Sequence, residues 1–328
     1  MKNVKKIGLS ALAGSLVALS VQAGELSVSG ASGLYIANSN ENSKTGYSMD
    51  DSVTISGSAE LDNGMVYSFS MELDGDSQSE KVNPAAASAT ATSSNVLDDH
   101  SISLSGDFGT LKFAGHGGAS VLDSWDDKTP NAYEESWDVV KNADKQRVNG
   151  YAVNNQFMYT SPSFSGATLY ASYANPASGN ASTYQDYGIL LKPEAVDGLE
   201  LAYAFGTTEA TAGSERDEST MYIKYTYGPV TAGYQVSEID APTAADDDET
   251  TIWGISYAIT DDFTVAYNQH TFDLGTATVD QEGTGISASY TMGGITVAGA
   301  MNSVDNVQAS TATTADIDAY EMSISFAF

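Results

Sequence analysis

The most regular feature of this chain is an alternation of apolar and polar residues that recurs in short segments. The last nine residues, from Tyr320 to Phe328, carry a large apolar or aromatic side chain at every second position. Successive side chains of a β-strand point to opposite faces, so period two predicts strands rather than helices. The pattern therefore predicts strands with one apolar face and one face of small or polar residues.

A β-hairpin is predicted early in the chain. Val53, Ile55, Gly57, Ala59 and Leu61 alternate with polar residues on one arm, and large apolar residues alternate with polar ones from Met65 to Leu73 on the other. The intervening Asp62-Asn63-Gly64 favours a tight turn, because Asn and Gly tolerate the positive φ that short hairpin loops need. Each arm approaches the length of about 9–11 residues that a tilted strand needs to cross a bilayer.

The same unit repeats along the chain, and short turns alternate with long connections. We predict sixteen strands, at 25–36, 51–61, 65–73, 97–106, 110–116, 151–160, 167–174, 186–192, 199–206, 219–227, 230–237, 251–259, 263–271, 283–291, 295–302 and 317–328. The strands at 167–174 and 186–192 carry the weakest pattern, and without them the count would be fourteen. An even number of strands with this loop rhythm predicts an all-β fold, a transmembrane antiparallel barrel that is wide enough to hold water.

The first residues have the pattern of an export signal. Three lysines precede an apolar stretch over 7–21, and Val21-Gln22-Ala23 is a small-residue cleavage site. We therefore predict a signal peptide at 1–23 and a barrel domain at 24–328. Nothing later in the chain approaches the run of about 20 apolar residues that a spanning helix requires. The predicted location is the outer membrane.

Charge and cysteine content exclude several classes of protein. The 328 residues carry a formal charge of −30, and loss of the three lysines at the start would leave −33. Such an acidic protein would repel the phosphates of a nucleic acid. The absence of cysteine excludes disulfides and thiolate metal sites.

No pattern of catalytic residues stands out. His100, His116 and His270 are far apart in sequence, and the chain lacks a Gly-x-Ser-x-Gly motif and a phosphate-binding glycine loop. We therefore expect neither an enzyme nor a cofactor. The run from Asp246 to Glu249 could collect Ca²⁺ or Mg²⁺ at the outer surface, since both ions prefer carboxylate oxygens. A solvated acidic loop explains the same run.

Three segments resemble the general diffusion porins of Gram-negative bacteria. They are the opening strand around Leu26–Gly30, the turn and strand Gly106–Gly115, and the strand and turn Asn154–Gly166. The resemblance implies a homotrimer of sixteen-stranded barrels that pass small hydrophilic solutes. It further implies that the third long loop folds into the lumen, and that the terminal Phe328 is read by the outer-membrane assembly machinery. Outer-membrane lipid and lipopolysaccharide are the remaining expected partners.

The third long loop, residues 117–150, is here called the acidic loop. Its carboxylates are candidates for lining a pore constriction, and those we single out are Asp123, Asp126, Asp127, Glu134 and Glu135. Thr129-Pro130 favours a helix start, with Tyr133, Trp137 and Val140 on one face at helical spacing. Such a helix would pack that face on the barrel wall and turn its carboxylates to water. The alternative is an ordinary solvated loop on the outer surface.

Strand parity assigns further charged residues to the polar face. Lys112 and Lys224 would lie opposite the acidic loop, and Glu60, Glu72 and Glu200 would face the lumen. A charge on the lipid face costs about 2–4 kcal/mol at the membrane midplane, which supports this assignment. Many relatives carry basic residues on the strand after the third loop, whereas this chain has Ala152 and Met158 at the matching positions. Few basic residues are therefore expected on the part of the barrel wall that lies opposite the acidic loop.

These features predict a general porin with weak preference for cations, because fixed negative charge raises the concentration of cations in a narrow pore. A substrate-selective outer-membrane channel is the first alternative. The alternative from a different class is a secreted acidic β-sandwich that acts as an adhesin or surface protein.

Overall fold

The computed structural model describes residues 25–41, 44–74, 97–143, 148, 150–174, 183–209, 215–243 and 247–328. The predicted signal peptide, residues 1–23, lies outside the described residues, as do Arg147 and Asp246. The described residues form one large sheet with few helical segments.

The sheet contains the sixteen strands that the alternation predicts. They are β1 (Glu25–Ser39), β2 (Gly46–Glu60), β3 (Val66–Asp74), β4 (Leu97–Gly106), β5 (Gly109–His116), β6 (Gln156–Thr160), β7 (Ala167–Ala174), β8 (Thr183–Leu191), β9 (Leu199–Glu209), β10 (Arg216–Tyr227), β11 (Val230–Asp240), β12 (Asp248–Thr260), β13 (Phe263–Leu274), β14 (Gln281–Met292), β15 (Ile295–Asp305) and β16 (Ile317–Ala327). Both strands with the weakest pattern are present, so the count of fourteen is wrong.

The sheet closes on itself. Each strand pairs with its neighbours in the chain, and β1 pairs antiparallel with β16, with Leu34 opposite Ile324. Beyond the last paired residues, the N–H of Gly30 donates to the carbonyl of Phe328 at 2.8 Å, and the N–H of Phe328 donates back at 2.9 Å. A closed barrel leaves no sheet edge with unpaired backbone groups. The prediction of a barrel is confirmed, and the β-sandwich alternative is wrong.

The two faces of the barrel differ as the alternation predicts. On β14, Ile286 and Tyr290 are 62% and 45% exposed, while Ser287 between them is 3% exposed. The same parity holds on β10, where Met221 is 57% exposed and Tyr222 is buried. In a membrane barrel the apolar face meets lipid and the other face encloses the interior. We call the second face the polar face.

Exposed aromatic residues cluster at strand ends on the apolar face. They include Tyr225, Tyr227, Tyr257, Phe326 and Phe328. Further ring pairs cross between strands, with centroids 5.4 Å apart for Trp253 and Tyr267 and 6.4 Å apart for Phe263 and Tyr290. Such rings suit the boundary between hydrocarbon and water.

Helical structure is confined to two short segments of the described chain. Helix α1 (Val121–Ser124) begins at Ser120, whose hydroxyl accepts a hydrogen bond from the N–H of Asp123, and a 3₁₀ turn covers Val307–Ala309. A two-residue ladder, Gly118–Ala119 with Ala152–Val153, closes the base of the acidic loop. Within the described ranges, no helix is both long and apolar enough to span a membrane.

The predicted helix from Thr129 is wrong. Residues 129–143 form isolated turns, such as the one in which the N–H of Val140 donates to the carbonyl of Trp137 at 3.0 Å. The backbone of this segment instead bonds to side chains of the barrel: the N–H of Ala132 donates to Ser287 Oγ, and the carbonyls of Glu135 and Ala143 accept from Asn302 Nδ2 and Gln281 Nε2. Those bonds satisfy the backbone without a helix, so the local preference for helix is overridden.

Candidate functional site

The acidic loop packs against the polar face through two apolar clusters. The first cluster joins Val121, Leu122, Trp125 and Val148 of the loop to strand residues. Those strand residues are Ala202, Ala204, Tyr222 and Ile239, with Tyr170 and Leu190 at the margin. The second cluster joins Trp137, Val139, Val140 and Ala143 of the loop to Ile252, Phe272, Ala300, Val304, Val307, Ile317 and Ala319. The loop is therefore anchored at both ends of the described segment 120–143.

The first anchor is organised by a buried carboxylate. Asp186 on β8 accepts hydrogen bonds from the backbone N–H of Leu122 at 2.8 Å, from the hydroxyl of Tyr184 at 3.2 Å and from the hydroxyl of Ser172. Trp125 packs edge-on to Tyr170 and Tyr222, with centroids 5.1 and 5.9 Å away. The start of helix α1 is thus fixed to β7, β8 and β10.

The middle of the loop crosses strands whose glycines leave room for it. The backbone N–H of Lys128 donates to Gln235 Oε1 at 2.6 Å, and that of Ala132 donates to Ser287 Oγ at 3.1 Å. Between these bonds Pro130 lies on β12, where a Cβ at Gly254 would stand 2.5 Å from the carbonyl oxygen of Pro130. Only glycine allows this approach of two backbones.

The second anchor combines polar and aromatic contacts around a buried histidine. Ser136 Oγ lies 2.8 Å from Nδ1 of His270, and Nε2 of Gln281 lies 3.0 Å from its Nε2. Trp137 meets the imidazole edge-on with centroids 5.3 Å apart. Gln281 Nε2 also donates to the carbonyl of Ala143 at 2.8 Å, which holds the end of the turn.

Two further bonds reach the strands at the end of the chain. The Tyr133 hydroxyl donates to the Glu321 carboxylate on β16, and Asn302 Nδ2 on β15 donates to the carbonyl of Glu135 at 2.6 Å. Burial and the neighbouring Glu321 carboxylate raise the pKa of Tyr133 above its usual range. The tyrosine therefore stays a hydrogen-bond donor at neutral pH.

The predicted constriction acids divide into two groups. Glu134 and Glu135 form a carboxylate cluster with Asp138, while Asp127 lies beside its neighbour Lys128 with an O–N distance of 3.9 Å. Asp123 and Asp126 also bond through their backbones. The N–H of Asp123 donates to Ser120 Oγ, and the carbonyl of Asp126 accepts from Gln235 Nε2. Burial, reinforced by Asp138, raises the pKa of Glu135 well above its usual range. The prediction that the loop turns all its carboxylates to water is therefore wrong for Glu135.

Of the predicted wall charges, Lys224 and Glu200 form one group on β9 and β10. Glu200 accepts from Lys224 at 3.1 Å, from Lys192 at 2.9 Å and from the Tyr222 hydroxyl at 2.9 Å. The two residues are paired in register, and both lie on the face that carries buried Tyr222.

The other predicted wall charges lie on the opposite arc of the barrel. Lys112 on β5 faces Ser103 and Met158 in register. Glu60 and Glu72 belong to β2 and β3, where Glu72 is opposite Thr54. Lys112, Glu60 and Glu72 are therefore separated from Lys224, which lies on β10.

The sequence analysis missed the polar side chains that hold the loop. They are Asp186, Gln235, His270, Gln281, Asn302 and Glu321, all buried and all on strands. Each lies at a polar position of an alternating strand, where small residues such as Ser, Thr or Gly are also common. A long polar side chain at such a position was the available signal, because burying one requires a hydrogen-bonding partner.

The predicted cation site at the outer surface remains an untested prediction. Asp246 lies outside the described residues, and Oδ1 of Asp247 accepts a hydrogen bond from the N–H of Ala241 at 2.8 Å. Asp248 and Glu249 belong to β12, opposite Leu274 and Asp273.

A closed antiparallel barrel with an apolar outer face and a polar inner face defines a membrane-spanning β-barrel. The sequence matches the family of Gram-negative porins over residues 8–328, and the chain therefore belongs to that family. The protein is accordingly an outer-membrane diffusion channel, and its family and fold are those of channels and not of enzymes.

Solved structures of porins share the fold at low sequence identity. One is an anion-selective porin from Comamonas acidovorans, 16% identical, with 93% of this chain and 100% of that chain covered and a TM-score of 0.65. A second is a triple mutant of the Rhodopseudomonas blastica porin, 18% identical, with the same coverage and a TM-score of 0.65. No curated protein matches the chain in sequence.

Proposed function

We propose that the acidic loop lies inside the barrel and narrows it, leaving a channel for passive diffusion of small hydrophilic solutes and ions. The observation that carries this proposal is that the loop contacts side chains of the polar face on strands from β7 to β16. A loop on the outer surface could reach the ends of these strands, but not such an arc of buried side chains on one face.

Liposome swelling tests the general character of the channel. We expect swelling rates that fall smoothly with solute size and do not depend on stereochemistry, because the described loop offers no track of stacked aromatics to a sugar. Rates that saturate with the concentration of one solute would instead support the substrate-selective channel.

We further propose weak selectivity for cations. Four basic groups near the loop are partly offset by three carboxylates: Glu200 pairs with both Lys224 and Lys192, Glu218 with Arg216, and Asp127 with Lys128. Glu60 and Glu72 add negative charge on the polar face of β2 and β3. Fixed charge of this sign concentrates cations in a narrow pore.

Two effects keep the proposed selectivity weak. The raised pKa of Glu135 favours its neutral form, which removes one negative charge from the loop. Any outer-loop charge farther from the pore than the Debye length of about 10 Å is screened at moderate salt. Anion selectivity, which the name of the Comamonas acidovorans porin states for that protein, is the competing outcome.

A reversal potential measured across a salt gradient in a planar bilayer decides between cation and anion selectivity. We expect a cation-selective potential at low salt that moves towards zero when Asp123, Asp126, Asp127 and Glu134 are changed to their amides. Replacement of the exposed turn residue Glu194 with Gln is the control for loss of charge elsewhere. Anion preference, or an unchanged potential in the fourfold variant, would contradict the proposal.

We propose a homotrimer, with a signal peptide at 1–23 that is removed on export and with Phe328 read by the assembly machinery. The exposed ring of Phe328, next to Gly30 on the apolar side of β1, supports the last point because it is accessible. Light scattering of the detergent-solubilised protein should give the mass of three chains. A monomer would contradict the trimer.

A further inference from the structure

A histidine and two aspartates meet where β4 and β5 end at the acidic loop. Nδ1 of His116 lies 3.5 Å from Oδ1 of Asp99 and 3.9 Å from Oδ1 of Asp98. One donor atom of each residue falls within 4.8 Å of the other two. The three side chains are between 43% and 48% exposed, so solvent reaches them.

Irregular strand pairing brings the two consecutive aspartates to one place. In a regular strand Asp98 and Asp99 would point to opposite faces. The register shifts between Met71 and Leu73 on the β3 side, and again at His100 on the β5 side. Such bulges redirect side chains at barrel rims.

The backbone next to the cluster also accommodates it. Gly117 follows His116 with a φ of +63°, and a Cβ there would lie 1.8 Å from the carboxylate of Asp99. Any other residue at 117 would displace that carboxylate from the imidazole.

We propose that Asp98, Asp99 and His116 form a binding site for a divalent transition-metal ion of the zinc type. Ligands about 2.0–2.2 Å from Zn²⁺ in a tetrahedral site are about 3.3–3.6 Å apart, and His116 Nδ1 lies 3.5 and 3.9 Å from the carboxylate oxygens of Asp99 and Asp98. The imidazole favours Zn²⁺ over Ca²⁺ and Mg²⁺, which prefer oxygen ligands. Water would complete the coordination, because the cluster is open to solvent.

The site has a structural consequence at the base of the acidic loop. His116 is the last residue of β5, and the loop begins at the next residue. A bound ion would tie that end of β5 to β4 through three ligands. The site is independent of the proposed ion selectivity.

Calorimetric titration of the detergent-solubilised full-length protein with Zn²⁺ tests the proposal. An excess of Ca²⁺ throughout occupies sites made of carboxylates alone, which matters in a chain with 43 acidic residues. We expect one saturable Zn²⁺ site per chain. His116→Ala and Asp99→Asn should each weaken it at least about tenfold, the loss that even outer-shell partners of a metal site cause.

Two variants serve as matched controls. His100→Ala removes the other histidine at this end of the barrel, and Asp62→Asn removes a carboxylate from the turn after β2. Both should bind Zn²⁺ like the unaltered protein. Circular dichroism checks that every variant is folded.

Replacement of Zn²⁺ by Co²⁺ gives a spectroscopic readout. The unaltered protein should show the visible bands of four-coordinate Co²⁺, and His116→Ala should not. Absence of saturable Zn²⁺ binding in the presence of Ca²⁺, or equal affinity in the folded His116→Ala variant, would overturn the proposal.

Discussion

Asp186 is fully buried, and its carboxylate joins the backbone of Leu122 to the hydroxyls of Ser172 and Tyr184. A buried carboxylate is costly unless several donors surround it. Here the donors come from the acidic loop and from two neighbouring strands. The residue therefore couples the position of the loop to the barrel.

Replacing Asp186 with Ala should loosen the start of the loop. The N–H of Leu122 would lose its acceptor, which costs about 1–3 kcal/mol for a buried donor. We expect the free energy of local opening, measured by hydrogen exchange at Leu122, to fall by that amount. Gln185→Ala, one residue away on the other face, is the control and should leave exchange at Leu122 unchanged. Equal exchange in both variants would contradict the role of Asp186.

Glu135 should make the stability of the protein depend on pH. Burial raises its pKa in the folded state, so the folded protein holds this proton at pH values where the unfolded chain has released it. The stabilising contribution is complete below the ordinary glutamate pKa and is lost as pH rises towards the raised value.

Glu135→Gln removes this dependence. We expect the melting temperatures of the variant and the unaltered protein to be similar near pH 4, with the variant increasingly more stable as pH rises. Glu194→Gln, at an exposed turn, should show no such trend. A difference between Glu135→Gln and the unaltered protein that stays constant with pH would contradict the burial of this carboxyl.

At the scale of elements, the acidic loop and the strands depend on each other. Residues 129–143 form no regular helix, and their conformation follows from the wall on which they lie. The wall is in turn shaped for the loop, since Gly254 lies against the backbone of Pro130.

Gly254→Ala should move the loop away from the wall. The added Cβ would lie 2.5 Å from the carbonyl oxygen of Pro130, and overpacking of this kind costs about 1–3 kcal/mol. If the loop lies in the lumen, the displacement narrows the channel and single-channel conductance falls. Ser256→Ala, two residues along the same face, is the control and should conduct normally. An unchanged conductance in Gly254→Ala would argue against a loop on this wall.

Strand positions could be predicted from the sequence more completely than strand lengths. Alternation located all sixteen strands, and it gave β4 and β7 with their observed bounds. Most strands at the long loops extend further, as β9 does to Glu209 and β12 from Asp248. Alternation reports only the part of a strand whose outer face is apolar, whereas hydrogen-bonded pairing continues beyond it.

The candidate site was less accessible to sequence analysis than the fold. Parity assigned Lys224 and Glu200 to the same face as buried Tyr222, because parity is a local property of a strand. The contacts of the loop depend on side chains more than a hundred residues away, such as Gln235 and Ser287. The helical spacing of Trp137 and Val140 did indicate burial on the wall, but not a helix.

At the scale of the whole molecule, closure of the barrel divides one sheet into two environments. The apolar face carries exposed residues such as Ile286 and Met301, at 62% and 68% exposure. The polar face carries the side chains that hold the acidic loop. Alternate residues of the same strands therefore face the lipid on one side and the acidic loop on the other.

A designed disulfide tests most directly whether the acidic loop lies on the polar face inside the barrel. The chain has no native cysteine, so Ala132→Cys with Ser287→Cys introduces one possible bond at the contact where the Ala132 N–H reaches Ser287 Oγ at 3.1 Å. Ala132→Cys with Ile286→Cys is the control, because Ile286 points to the apolar face. We predict that mass spectrometry finds the disulfide in the first variant and free thiols in the control. Free thiols in the first variant, or cross-linking in the control alone, would contradict a loop inside the barrel.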